Sequence, residues 1–146
     1  MGTVYSEITL KNALDVGKAR EGLIPEQQIR MVTISALVDT GAGTLIINEE
    51  TRQKLGLVIK GLQRATLADG TSTPYQVTEP VDIHWKNRET TCRAIVIPGA
   101  DSILLGAIPL EDMDLIVDPK QRQLTGAHGD EIVYLAKSTN PAHWGG

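Results

Sequence analysis

The sequence predicts an all-β fold, a small closed barrel of short strands with one short α-helix. Three observations lead there. The hydrophobic residues, 41% of 146, include no Phe and few aromatics, so the core must be built from Val, Ile and Leu, which favour strands. Apolar runs are short and are punctuated by Gly, Pro, Asn and Asp, the pattern of strands joined by turns. Glu49–Leu55 alone carries helix signals at both ends, with Asn48 as N-cap and Gly56 as the stop.

In chain order, Thr3–Leu10 alternates imperfectly between apolar and polar and reads as an edge strand. Residues Asn12 to Gln28, polar and interrupted by Gly17, Gly22 and Pro25, read as a long surface connection with a helical turn at Pro25–Gln28. Ile29–Val38 is a second strand that runs into the turn Asp39-Thr40-Gly41. Thr44–Ile47 is a short apolar strand leading into the helix, whose acids lie at its start and whose Arg52 and Lys54 lie near its end, as the helix dipole favours.

Leu62–Ala68 and Ser72–Val77 flank Asp69-Gly70, a dipeptide that tolerates the positive φ of primed hairpin turns. Pro80–Trp85 and Glu89–Ile97 form a second hairpin across Lys86-Asn87-Arg88. Pro98–Asp101 is a loop, and Ile103-Leu104-Leu105 a buried strand ending at Gly106. Pro109–Met113 reads as one helical turn, and Asp114–Asp118 as a strand closed by Pro119, with Gln123–Thr125 pairing back. Ile132–Leu135 is a last strand. A chain of this length fits one domain, residues 1–137, followed by a loose tail at 138–146.

Composition narrows the function classes. A net charge of −4 without a Lys/Arg cluster interleaved with aromatics gives no basis for a nucleic-acid partner. No apolar run is long enough to cross a bilayer, so no membrane partner is expected. The lone Cys92 precludes an internal disulfide, and with no secretory leader apparent a cytoplasmic setting is expected. Met1, Gly2 and Ser6 match the permissive myristoylation pattern, which a strand from Val4 onward argues against.

Among residues capable of chemistry, His84, His128, His143 and Cys92 lack metal-ligand spacing, and no cofactor is implied. Ser102 and Thr44 lack the setting of a nucleophile elbow. Asp112, Asp114 and Asp118 fail the spacing of a calcium loop and read as turn acids. Trp85 and Trp144 read as partly exposed. The strongest feature is Leu37-Val38-Asp39-Thr40-Gly41-Ala42, which delivers a carboxylate from rigid strand into a turn that only small residues follow.

Taken in order, that turn, the Ala68-Asp69-Gly70 hairpin and Ile103-Leu104-Leu105-Gly106 resemble the retropepsin-like aspartic proteases, particularly bacterial single-domain members. The resemblance extends through Ala107–Pro119 and spans about residues 30–125. It implies an aspartic endopeptidase in which Asp39, Thr40 and Gly41 are catalytic. Ala42, Leu67, Ala68, Asp69 and Gly70 would meet substrate, the last four as a flap, and Leu104, Leu105 and Gly106 would brace the active turn.

Water-driven peptide hydrolysis by carboxylates needs a base and an acid, which two aspartates a few ångströms apart supply because they share one proton. Such sharing predicts a limb on the acid side of the pH profile. The chain has one Asp-Thr-Gly and no room for a duplicated lobe, so the resemblance implies a C2 homodimer that pairs Asp39 with its copy. Gly41 lets its amide reach the carboxylate, and Thr40 would turn inward to bond backbone of the partner's turn. One departure stands out: viral members pair an Asp after the turn with an Arg after the second Gly, where this chain has Gly43-Thr44 and Ala107-Ile108. A retropepsin-like module that binds peptide or dimerises with weak or no catalysis is the alternative.

Overall fold

The structure, a computed structural model, describes residues 3–66 and 69–129. Eleven strands, three α-helices and a 3-10 turn at Glu26–Gln28 follow one another along the chain. The strands are β1 Tyr5–Asn12, β2 Met31–Val38, β3 Leu45–Ile47, β4 Ile59–Thr66, β5 Ser72–Thr78, β6 Val81–Trp85, β7 Arg88–Cys92, β8 Ala94–Val96, β9 Leu104–Leu105, β10 Leu115–Asp118 and β11 Gln123–Gly126. The helices are α1 Ala13–Arg20, α2 Glu49–Leu55 and α3 Ala107–Asp112.

The all-β class holds, but the barrel does not close. Among the described residues nine strands form one sheet in the order β4-β5-β8-β3-β9-β2-β1-β6-β7, with free ends at β4 and β7, while β10 and β11 make a separate pair. Closure depends on pairing between distant strands, which local alternation does not encode. For the same reason β1 is not an edge: it lies between β2 and β6, antiparallel to both.

Four further expectations need correction. The polar stretch after Asn12 folds into α1, because the Asn12 side chain accepts from the amides of Leu14 at 3.0 Å and Asp15 at 3.1 Å and so starts a helix. The segment Glu89–Ile97 divides at Arg93 into β7, paired with β6, and β8, paired with β3 and β5. Its hairpin turn is the two residues Lys86-Asn87, since Arg88 already pairs with Trp85, and Lys86 takes a φ of 49°. Trp85 is buried, with Nε1 donating to Ser6 Oγ at 2.8 Å. The expected strand Ile132–Leu135, the tail and Met1-Gly2 lie outside the described residues.

Alternation along the strands divides apolar side chains between two faces. One face builds the main core from Ile8, Leu10, Ala36, Leu45, Ile47, Ile83, Val96 and Leu105, closed by Leu55 of α2 and Leu110 of α3. Ile46, Val77 and Ile95 face the other way and gather Ala42, Ala65, Tyr75, Ile97 and Leu104 around them. The unbroken runs Leu45-Ile46-Ile47 and Ala94-Ile95-Val96 follow from burial on both faces.

Three polar anchors fix this frame. Buried Asn12 caps α1 while its Nδ2 donates to the Leu55 carbonyl at 2.9 Å, so one side chain ties the end of α2 to the start of α1. Buried Arg88 donates to the carbonyls of Met113 at 2.9 Å, Asp114 at 2.7 Å and Gly129 at 2.6 Å, clamping both ends of the β10–β11 hairpin to β7. Asp15, also buried, accepts from the Arg30 amide at 3.0 Å, Nε at 2.8 Å and Nη2 at 2.9 Å.

The hydrogen-bonded Arg30 guanidinium holds the Asp15 carboxyl below its ordinary value of 3.8, against the opposing effect of burial. A depressed folded-state value means that the pair stabilises the fold above about pH 4 and that this contribution is lost as pH falls through the lowered value. Asp15→Asn is therefore expected to cost about 1–2 kcal/mol at neutral pH, discounted for the half-exposed Arg30, and to flatten the decline below pH 4. Urea melts from pH 7 to pH 2 check this; parallel curves for the two proteins would contradict it.

Candidate active site

The turn after β2 is built by a strand that threads beside it. β9 lies between β2 and β3, parallel to the first and antiparallel to the second, with Val38 opposite Leu105. The Leu37 amide donates to the Ile103 carbonyl at 2.8 Å and the Asp39 amide to the Leu105 carbonyl at 3.0 Å. The backbone that presents the acid is thus held until its last residue. Leu105 is fully buried beneath, whereas Leu104 joins the second apolar cluster rather than the core under the turn.

Beyond Asp39 the chain reverses tightly. The Ala42 amide donates to the Asp39 carbonyl at 3.0 Å, and the Gly41 amide to Asp39 Oδ1 at 2.9 Å. A Cβ on Gly41 would stand 3.2 Å from that same oxygen, so glycine serves here by close approach. The bond fixes the rotamer of the Asp39 side chain.

Gly106 is the second close approach. A Cβ there would meet the Thr44 carbonyl at 2.3 Å and the Ala42 carbonyl at 2.6 Å. Just past it, the Ala107 amide donates to the Ala42 carbonyl at 2.8 Å and the Ile108 amide to the Gly43 carbonyl at 3.1 Å. The start of α3 therefore bonds the far side of the active turn. The structure brings Asp39–Ala42 and Leu104–Gly106 into one unit.

Thr40 departs from the expectation in part. It is exposed, and within one chain its hydroxyl meets no partner among the described residues. It faces a groove of about 350 Å³ shared with Ala107, Leu110, Glu111, Leu115, Ile116 and Val117.

The hairpin formed by β4 and β5 is present, though its turn is wider than an Asp-Gly primed pair. Thr66 pairs with Ser72, and of the described residues between them, Asp69–Thr71, only Gly70 takes a positive φ, 88°. Asp69 accepts from the Thr71 amide at 2.9 Å and from the Thr71 hydroxyl, which holds its carboxyl below the usual range. Leu67 and Ala68 lie outside the described residues. Ala65, Tyr75 and Val77 of this hairpin pack in the cluster that contains Ala42 and Leu104, so the hairpin is rooted beside the active turn.

That cluster is what sequence reasoning missed. Ile46, Ile95 and Ile97 line it, and their signal was an unbroken apolar run where a half-buried strand would alternate.

Among the described residues the other candidates have surroundings of their own. Burial pushes the Cys92 thiol above its ordinary value, the reverse of a reactive thiolate. His84 lies opposite Glu89 with Nδ1 3.4 Å from its carboxylate, and His128 Nδ1 stands 2.8 Å from Asp114. Asp112 accepts from the Thr90 hydroxyl at 2.5 Å, and Asp118 accepts from the amides of Lys120 and Gln121 across its turn. No helix among the described residues is long and apolar enough to cross a membrane.

Gly106→Ala is expected to cost about 3 kcal/mol, because the added methyl meets backbone that cannot yield without breaking the turn. Thermal melting checks this; a variant as stable as the parent would show that the two segments do not cross so closely.

The solved retroviral protease-like domain of Ddi1 from Leishmania major matches with a TM-score of 0.54 at 16% identity, over 94% of this chain and 99% of that one, a likeness of fold. A retropepsin-like aspartic protease from Rickettsia conorii matches with a TM-score of 0.46 at 20% identity, over 81% of this chain and 89% of that one. No curated protein sequence matches the chain. The family model described as gag-polyprotein putative aspartyl protease matches residues 26–112, which include the Asp39 turn and Gly106, and the chain belongs to that retropepsin-like family.

Proposed function

We propose that the chain is an aspartic endopeptidase that acts as a homodimer, hydrolysing peptide bonds with water held between two Asp39 carboxylates. The observation that carries this reading is the preorganised half-site. Asp39 is fixed through its own amide by Leu105 and through its carboxylate by Gly41. Among the described residues the turn's hydrogen bonds bring no second acid to it. A two-fold axis beside the turn supplies one by symmetry.

In the dimer one carboxylate takes a proton from water as the oxygen attacks the scissile carbonyl carbon, and the other, protonated, donates to the carbonyl oxygen. Collapse of the tetrahedral diol breaks the C–N bond while a proton passes to the leaving nitrogen. The substrate would lie extended, its backbone pairing with the flap at residues 67–71 and its side chains entering the apolar cluster of Ala42, Ile46, Ile95 and Leu104. Apolar residues flanking the scissile bond follow from that lining. Flap closure would exclude water.

The absence of an Asp/Arg pair at Gly43-Thr44 and Ala107-Ile108 favours a second reading, a peptide-binding or dimerising module with little or no turnover. Asp39→Asn separates the two. It is expected to lower kcat/KM on an unstructured protein substrate by on the order of 1,000-fold or more, with melting temperature and sedimentation unchanged. Undiminished cleavage by the Asn variant would sink the dyad, and a parent that binds peptide without cleaving it would establish the second reading.

A further inference from the structure

We infer that the substrate cleft continues into a basic pocket built by Lys60 and Arg93, which selects peptides carrying an acidic side chain a few residues away from the scissile bond. The pocket rests on the protease reading above and adds a class of substrate to it.

Two breaks in strand regularity converge here. β4 and β5 pair Ile59 with Thr78 and Gly61 with Val77, which leaves Lys60 as the extra residue of a bulge. Regular alternation would set Lys60 and Gly61 on opposite faces, but the bulge brings both to one pocket of about 250 Å³. Arg93 occupies the other break, between Cys92 of β7, which pairs with Val81, and Ala94 of β8, which pairs with Leu45. Leu62, Gln63 and Val77 complete the lining. A Cβ on Gly61 would meet nothing within 4 Å, so the pocket is open above that residue.

Both Val77 and Arg93 lead back to the Asp39 turn. Val77 belongs also to the apolar cluster with Ala42, Ile46 and Leu104, where the side chains nearest the scissile bond would sit. The Arg93 carbonyl accepts from the Thr44 hydroxyl at 3.1 Å, and Thr44 closely follows Ala42 in the chain. An extended substrate that pairs with the flap keeps step with β4. Counted along the sequence from Gln63 to the flap residues 67–71, the pocket meets a side chain about four residues from the scissile bond. A two-fold axis through paired turns repeats the pocket on the other side of that bond.

Charge makes the pocket selective. The charged groups that line it, Lys60 and Arg93, are both cations, in a chain whose net charge is −4. A concave patch of one sign concentrates the opposite sign. Arg93 can hold a carboxylate through two donors, and Lys60 adds a point charge. A carboxylate so far from the reacting atoms is held alike in ground and transition states, so its effect falls on KM rather than kcat.

Steady-state kinetics test this with two peptides that share an apolar pair at the cleavage point and carry either Glu or Gln about four residues to each side of it. The parent is expected to show a KM about 5-fold lower for each Glu, with equal kcat, and to lose the preference in about 0.5 M NaCl. The double variant Lys60→Gln, Arg93→Gln is expected to cleave both peptides alike; it leaves the backbone bond from Thr44 to Arg93 in place, and circular dichroism confirms its fold. Lys120→Gln, which removes an exposed cation on the turn after β10, is expected to match the parent. Equal KM for the two peptides, or a preference that survives in the double variant, would overturn the pocket while leaving the protease reading intact. Fluorescence anisotropy with the same peptides decides the case of a parent that cleaves neither. Tighter binding of the Glu peptide that depends on Lys60 and Arg93 would then uphold the pocket and overturn the protease reading, and equal or absent binding would overturn both.

Discussion

The crossing of two chain segments at Gly106 is the constraint on which the active turn depends. β9 enters between β2 and β3, and its carbonyls hold the backbone amides of Leu37 and Asp39. The chain then passes under Ala42 and Thr44 at a distance that excludes any side chain on Gly106, and the first amides of α3 close the loop from the other side. A carboxylate so placed has little freedom left: its backbone belongs to the sheet and its oxygen to Gly41. Preorganisation of this kind avoids the reorganisation that catalysis in water would require.

The remainder of the fold supports that crossing from a distance. Asn12 and the Asp15–Arg30 pair join α1, α2 and β1, so the strand beside β2 is set in place by polar contacts at its end as well as by the core. Arg88 performs the corresponding task on the opposite side, where it fixes the hairpin that follows α3. The sheet's two faces then have different work. One is an aliphatic core, and the other, around Ile46 and Ile95, packs against Ala42 of the turn and Leu104 of β9.

Much of this was legible in the sequence because it is local. Asp39-Thr40-Gly41, the stop at Gly106, the Asn48 and Gly56 ends of α2 and both hairpins announce themselves within a few residues. What was not legible depends on partners far along the chain. Among the described residues β4 and β7 remain the ends of an open sheet, and only three-dimensional pairing decides that. α1 was hidden because its residues lack an apolar period, and its cap, Asn12, looks like any loop asparagine until it is seen reaching Leu55. Arg88 read as a turn residue, since nothing near it in sequence shows that it will be buried under Met113 and Gly129. The second apolar cluster was concealed by its own regularity, three-residue runs that look like ordinary core.

The proposed half-site makes a claim about stoichiometry. Calorimetric titration with a statine-containing peptide, whose hydroxyl imitates the tetrahedral diol between the two acids, measures it directly. The account predicts one inhibitor for every two chains, with binding lost in Asp39→Asn. One inhibitor bound per chain, or binding that persists without Asp39, would contradict it.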